Sequence, residues 1–85
     1  MKTEIGEKGI GLTWQDNFAT TLECERCGGE ARIAFTAMES HEKEYVCELH
    51  KNECDKDKFW PHDAIAVAVY FCGKCCHVLA RYNQG

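Results

Sequence analysis

The chain has 85 residues, seven cysteines and a formal net charge of −4 at pH 7. A single domain of this size buries little apolar surface, so it usually needs a disulfide, a metal ion or a partner for stability. The acidic charge disfavours sequence-independent binding to nucleic-acid phosphates, which requires a basic face. No apolar run approaches the roughly 20 residues of a membrane-spanning helix, so we expect no membrane insertion.

The cysteines indicate metal ligands and argue against a disulfide framework. Their number is odd, which would leave one thiol unpaired. The N-terminal stretch MKTEIGEKGIGLTW also lacks the apolar segment of a secretory signal. We therefore expect a cytoplasmic protein whose reduced cysteines bind metal.

The first half of the chain predicts a polar arm followed by two strands. Residues 1–16 are polar and contain several glycines, which predicts a loose N-terminal arm before a single metal-binding domain, 17–85. NFATTLE (17–23) predicts a short strand and EARIAFTAM (30–38) a second one. ESHEK then predicts a polar turn, with EYV as the return arm of a hairpin.

Alternation within the second strand assigns its faces. Ile33 and Phe35 are expected on one face, and Ala34 and Thr36 on the other.

The second half of the chain predicts a helix and two more strands. CELHKNECDKDKF (47–59) contains no glycine or β-branched residue and predicts a short helix that ends before Pro61. AIAVAVYF (64–71) is the clearest strand, and HVLARYN predicts its return arm. Side chains of the strand 64–71 are expected to alternate between two faces. One face has Ile65, Val67, Val69 and Phe71, and the other has Ala64, Ala66, Ala68 and Tyr70.

Two segments of the chain share one plan. TTLECERCGGEARIAF and VAVYFCGKCCHVLARY each read as strand, Cys-x-x-Cys, tight turn and strand. Each therefore predicts a β-hairpin whose tip folds around a cation.

Three ligand pairs separated by two residues make metal binding the strongest prediction. A Cys-x-x-Cys turn directs two sulfurs at one ion, and zinc prefers four tetrahedral ligands from Cys and His. Gly28 and Gly29 follow the first pair, where the chain must turn away from the ion. The pairs are Cys24 with Cys27, Cys47 with His50, and Cys72 with Cys75.

The sequence leaves two pairings open, and the first is favoured. In it, Cys24 and Cys27 share an ion with Cys47 and His50 across a hairpin. That stretch, CERCGGEARIAFTAMESHEKEYVCELHKNEC, resembles a treble-clef finger and is similar to the zinc domain at the N-terminus of the Clp unfoldase. Tyr45 holds the place of the aromatic residue that precedes the second pair in that domain. The resemblance implies ligand roles for these four residues and, loosely, docking to a protein partner.

In the second pairing, Cys24 and Cys27 meet Cys72 and Cys75 across two turns. This is the plan of a zinc ribbon or of rubredoxin. The second turn departs from that plan, because Cys76 stands where those folds usually have glycine. The remaining aromatic pattern of rubredoxin is also absent, which disfavours iron.

Both pairings leave enough ligands for a second ion. We therefore predict two zinc ions and eight ligands, namely Cys24, Cys27, Cys47, His50, Cys54, His62, Cys72 and Cys75. Cys76 is expected to be a buried free thiol. His77 and His41 are expected to be surface residues that bind no metal.

The predicted fold is a small metal-stabilised α+β domain, with zinc knuckles on β-hairpins and one short helix. Closed four-ligand sites are structural, so we expect no catalytic residue and a non-enzymatic protein-interaction module. The alanine face of residues 64–68 is one candidate partner surface, unless the first hairpin covers it.

Nucleic-acid binding is the alternative function, with Trp14, Phe59, Trp60 and Tyr82 as candidate stacking residues. A thioredoxin-like redox role is less favoured. Cys72 and Cys75 would then have to open a helix, whereas the sequence after them predicts a strand.

Overall fold

The computed structural model describes residues 2–11, 17–38 and 65–84. These residues form one antiparallel sheet of five strands and a short 3₁₀ helix at Gly6–Gly9. The strands are β1 (Lys2–Ile5), β2 (Thr21–Glu23), β3 (Glu30–Met38), β4 (Ile65–Cys72) and β5 (Val78–Gln84). The described residues contain no helix that is long and apolar enough to cross a membrane.

The sheet is built from two hairpins joined along their long strands. β2 pairs with β3, and β4 pairs with β5. β3 and β4 are antiparallel neighbours at the centre, with Ala31 opposite Cys72 at one end and Met38 opposite Ala66 at the other. Both hairpin turns therefore lie at the same end of the sheet. Cys24, Cys27, Cys72 and Cys75 lie in or next to these two turns.

The predicted strands are confirmed over most of their length. β3 coincides with the predicted strand 30–38, and β4 and β5 begin one residue after the predicted strands. The strand predicted at 17–23 is shorter, since only Thr21–Glu23 pair with β3. The helix predicted at 47–59 and the hairpin arm EYV lie outside the described residues.

The N-terminal segment belongs to the sheet, although the sequence predicted a loose arm. β1 pairs with the second half of β3, with Lys2 opposite Met38 and Ile5 opposite Phe35. The 3₁₀ helix then brings Gly9 against Thr36, so closely that an added Cβ would lie 2.5 Å from the Thr36 Cβ and Oγ1 atoms. Polar composition concealed this role, because an edge strand needs backbone pairing more than apolar side chains.

A bulge at Ala34 reverses the faces of β3 partway along the strand. Ile33 lies opposite Tyr70, and Phe35 lies opposite Val69, so Ala34 is the extra residue. Ile33 and Thr36 are consequently both buried, at 8% and 1% exposure. The predicted sharing of a face by Ile33 and Phe35 is wrong, because strict alternation does not survive an inserted residue.

The core lies on one face of the sheet, where Phe18 packs with buried residues of β3, β4 and β5. Tyr70 is fully buried, and its hydroxyl donates a 2.6 Å hydrogen bond to the Ala19 carbonyl. Burial raises the pKa of Tyr70, and the positive charge of Arg81 opposes that rise. Among the described residues, the buried apolar ones are Phe18, Cys24, Ala31, Ile33, Ala66, Ala68, Tyr70, Cys72 and Leu79.

The alanine face of β4 belongs to this core and is not a partner surface. Ala66 and Ala68 are completely buried. The opposite face of the sheet carries the larger apolar side chains, several of which are solvent-exposed. We call it the open face, and it includes Ile5, Phe35, Val67, Val69, Phe71, Val78, Ala80 and Tyr82.

Candidate metal centre

The first Cys-x-x-Cys turn, which we call knuckle 1, is residues 24–29 between β2 and β3. The Gly28 N–H donates to the Cys24 carbonyl at 2.9 Å, and the Cys24 N–H donates to the Gly29 carbonyl at 2.7 Å. Gly28 has φ +73°, a conformation that glycine adopts without steric cost. The Gly29 N–H then points at the Cys27 sulfur, 3.4 Å away. The turn thus directs both sulfurs inward and supplies an amide donor to one of them.

The second turn, knuckle 2, is residues 72–77 between β4 and β5, and it repeats this geometry. The Cys76 N–H donates to the Cys72 carbonyl at 3.1 Å, and the Cys72 N–H donates to the His77 carbonyl at 2.9 Å. The Lys74 N–H donates to the Cys72 sulfur at 3.4 Å. The two knuckles therefore share the same two backbone hydrogen bonds, whereas the 3.4 Å amide–sulfur contact is made to the second cysteine in knuckle 1 and to the first in knuckle 2.

The two knuckles bring four thiols together. The Sγ atoms of Cys24 and Cys75 are 3.7 Å apart, and those of Cys27 and Cys72 are 3.5 Å apart. All four sulfurs lie within 4.8 Å of one another. A tetrahedral ion with metal–sulfur bonds of about 2.3 Å requires sulfurs about 3.8 Å apart. The spacing therefore fits one tetrahedral metal ion with four cysteine ligands.

The structure brings together the cysteines of the second pairing. Cys24 and Cys27 meet Cys72 and Cys75, because the antiparallel pairing of β3 with β4 places both hairpin turns side by side. The favoured first pairing required Cys47 and His50, which lie outside the described residues, as do Cys54 and His62. The signal for the observed arrangement was already in the sequence, in the repeated plan of strand, Cys-x-x-Cys and strand.

Backbone amides and neighbouring thiols shift the pKa values of two thiols in this cluster, those of Cys72 and Cys75. The N–H groups of Cys75 and Lys74 lower the pKa of the Cys72 thiol to about 6, against the opposing effect of burial. The His77 N–H lowers the pKa of the Cys75 thiol, but burial and the neighbouring thiols outweigh it and raise that pKa to about 12. Without metal, the cluster thus favours a thiolate at Cys72 and a protonated thiol at Cys75.

A contact between two side chains, His77 and Glu25, also links the knuckles. The His77 Nε2 atom lies 3.6 Å from a carboxylate oxygen of Glu25, which belongs to knuckle 1. The Gly73 N–H also donates to the Glu30 carbonyl at 3.3 Å, which ties knuckle 2 to the start of β3. His77 was expected on the surface, and it is half-buried. Neither residue belongs to the four-thiol cluster.

Cys76 is exposed, although the sequence predicted a buried thiol. It has φ +61°, a left-handed conformation that is uncommon for a residue with a Cβ. The prediction assumed that Cys76 begins a regular strand. In the structure β5 begins only at Val78, and Cys76 completes the turn.

Comparison with protein-family models, curated proteins and solved structures found no match for this chain. The class of site therefore rests on its own geometry, which is a cluster of four cysteines on two β-hairpin knuckles, able to bind a metal ion.

Chemically, a four-thiolate site of this kind has all tetrahedral positions filled by protein. Such sites cross-link the chain and leave no position for a water molecule or substrate. Here the cross-link would join the two hairpins at the end of the sheet where Ala31 lies opposite Cys72.

Proposed function

We propose that this protein is a small structural-zinc domain that acts by binding another macromolecule and not by catalysis. The observation that carries the proposal is the meeting of Cys24, Cys27, Cys72 and Cys75 within 4.8 Å. Four thiolates favour zinc among the common divalent cations, and a filled tetrahedral site is typical of structural zinc.

The small core supports a stabilising role for the ion. Of the nine buried apolar residues in the described part of the chain, three are alanines and two are the cysteines Cys24 and Cys72. Within residues 2–11, 17–38 and 65–84, few large side chains therefore contribute to hydrophobic stabilisation. Structural zinc sites contribute apparent binding energies of about 10 to 16 kcal/mol in zinc-finger peptides, and that energy becomes folding energy.

The open face supports a binding role. Phe71 on β4 is 49% exposed, and Val78 and Tyr82 on β5 are 53% and 71% exposed. These residues are neighbours on one face, because Phe71 pairs with Val78 and Val67 pairs with Tyr82. Contiguous exposed apolar surface of this kind is typical of interaction sites.

Native mass spectrometry of the purified protein tests the metal proposal. We expect bound zinc in the wild-type protein and loss of one ion in Cys27→Ser, with Cys76→Ser as a matched control that keeps it. Cobalt substitution adds a spectroscopic readout, since tetrahedral thiolate ligation gives strong visible and charge-transfer bands. A purified protein that binds no zinc, or whose denaturation midpoint is the same with and without zinc, would overturn the proposal.

The same experiment counts the ions. Two zinc ions in the wild-type protein, falling to one in Cys27→Ser, would support a second site among Cys47, His50, Cys54 and His62. One ion in the wild-type protein would contradict that part of the prediction and leave the four-cysteine site intact.

Nucleic-acid binding is the second candidate, and one observation favours it. Tyr82, a predicted stacking residue, is 71% exposed, and Phe71 lies nearby on the same open face. Stacking of a base on an aromatic side chain contributes about 1 to 3 kcal/mol. The net charge of −4 weighs against this function. Tight binding of a single-stranded oligonucleotide that weakens steeply with salt and with Tyr82→Ala would favour it over protein binding.

A further inference from the structure

The strand β5 has one edge that no other described strand pairs with. The order of the sheet is β1-β3-β4-β5, which places β5 at its end. Edge strands expose unpaired N–H and C=O groups and are templates for another strand unless proline, lysine or a bulge protects them. The segment from Val78 to Tyr82, VLARY, contains no proline, lysine or bulge. Its single charge is Arg81, whose Nη1 atom donates a 2.8 Å hydrogen bond to the Ala80 carbonyl, and an incoming strand would have to replace this exposed contact.

The side chains of this segment alternate strongly. Val78, Ala80 and Tyr82 are exposed on the open face, whereas Leu79 is 2% exposed and points into the core. An incoming strand would therefore meet two large apolar side chains separated by a small one. This pattern suits a β-branched or aromatic partner at each end.

We propose that β5 is a self-association site, where a second copy of this chain adds its own β5 antiparallel across a twofold axis at Ala80. In this register Val78 of each copy lies opposite Tyr82 of the other. The favourable pair of an aromatic and a β-branched residue thus forms twice, and Leu79 lies opposite Arg81 of the second copy.

Charge repulsion favours the register with the twofold axis at Ala80 over the register with the axis at Arg81. A twofold axis at Arg81 would place two guanidinium groups directly opposite each other, which is destabilising. With the axis at Ala80, no like charges of the segment face each other. The same five residues then serve both sides of the interface, as a twofold symmetric contact requires.

This inference deepens the proposed function and rests on it for a folded, zinc-bound domain. It identifies the partner as a second copy of the chain, joined edge to edge through the sheet. The open faces of the two copies would then form one continuous surface.

Analytical ultracentrifugation, with native mass spectrometry of the same zinc-bound samples, tests the register. We expect a wild-type dimer and at least a tenfold weaker association for Tyr82→Glu, because that change breaks both aromatic pairs. The double variant Val78→Lys, Tyr82→Glu should recover the dimer, since opposite charges then face each other twice across the axis.

The control is Phe71→Glu, on the same open face but on β4, away from the edge. It should leave the dimer intact. Equal loss of the dimer in Phe71→Glu and Tyr82→Glu would overturn the proposal, because contact would then run through the face. A monomer at every concentration would also overturn it, whether β5 is covered by another part of the chain or by a different protein.

The two proposals fail in different ways in this experiment. A zinc-bound monomer would contradict self-association alone. A metal-free dimer that responds to Tyr82→Glu and to the double variant as described would contradict the structural-zinc function and leave the β5 contact standing.

Discussion

Gly28 and Cys76 occupy the same position in the two knuckles. Each N–H donates to the carbonyl of the first cysteine of its turn, at 2.9 Å and 3.1 Å, and each residue has positive φ, +73° and +61°. The position requires left-handed backbone because the chain must reverse immediately after the second ligand. Knuckle 1 meets that requirement with glycine, and knuckle 2 meets it with a residue that has a Cβ, at an energetic cost.

We therefore predict that Cys76→Gly stabilises the zinc-bound protein by about 1 kcal/mol, as relief of left-handed strain outweighs the added freedom of the unfolded chain. Chemical denaturation at constant zinc measures the effect. Cys76→Ala is the matched control, because it removes the thiol and keeps the Cβ, and it should change stability little. Loss of zinc in Cys76→Gly would show instead that the Cys76 thiol is a ligand.

The converse substitution in knuckle 1, from glycine to a residue with a Cβ, should destabilise the protein. Gly28→Ala introduces a Cβ at φ +73°, and we expect a loss of about 1 kcal/mol in stability with zinc still bound. Space is not the cause, since the nearest heavy atom to the new Cβ, the Glu23 Oε1 atom, would be 3.8 Å away. An unchanged denaturation midpoint would contradict the backbone argument for both knuckles.

The contact between Gly9 and Thr36 tests whether the N-terminal segment is part of the fold. Gly9→Ala should destabilise the protein by about 2 kcal/mol, because its Cβ would lie 2.5 Å from the Thr36 Cβ and Oγ1 atoms. Gly11→Ala is the control, with its nearest heavy atom, the Asn17 Oδ1 atom, at 3.7 Å. Thermal unfolding of both variants gives the comparison. Equal midpoints would mean that residues 2–11 do not pack on β3 in solution.

Thr36 itself offers a stabilising substitution. Its side chain is buried, and its hydroxyl has no hydrogen-bond partner among the described residues. Thr36→Val keeps the shape of the side chain and removes an unsatisfied polar group, so we expect a gain of about 1 kcal/mol. Thr36→Ser is the useful comparison, since it keeps the hydroxyl and should lower stability. A loss of stability in Thr36→Val would indicate that the hydroxyl has a partner in solution.

The cysteine cluster predicts a stability maximum near pH 9 for the metal-free protein. The folded pKa of Cys72, about 6, is below the ordinary value of 9.0, so its contribution is complete above pH 9 and is lost as pH falls to about 6. The folded pKa of Cys75, about 12, is raised, so its contribution is complete below pH 9 and is lost as pH rises to about 12. Urea denaturation between pH 6 and 12, with a chelator and a reductant present, measures both the rise in stability up to pH 9 and the fall above it. Stability that falls steadily from pH 6 to 9 would contradict the assignment of the thiolate to Cys72.

The sequence by itself determined the strands and the chemistry of the site. The alternation of AIAVAVYF and the β-branched residues of EARIAFTAM are local patterns, and strand formation follows such patterns closely. The spacing of Cys24, Cys27, Cys72 and Cys75 predicted that they could bind a metal, because a two-residue gap is what one turn needs to direct two sulfurs at one ion.

Only the tertiary structure decided which cysteine pairs meet and which face of each strand is buried. It also decided that the N-terminal segment belongs to the sheet. The pairing of β3 with β4 puts the two knuckles side by side, and no local pattern encodes which strands become neighbours. One extra residue at Ala34 moves Thr36 into the core, since a single insertion in a strand reverses every face that follows. Lys2–Ile5 join the sheet through backbone hydrogen bonds, which their polar side chains do not reveal.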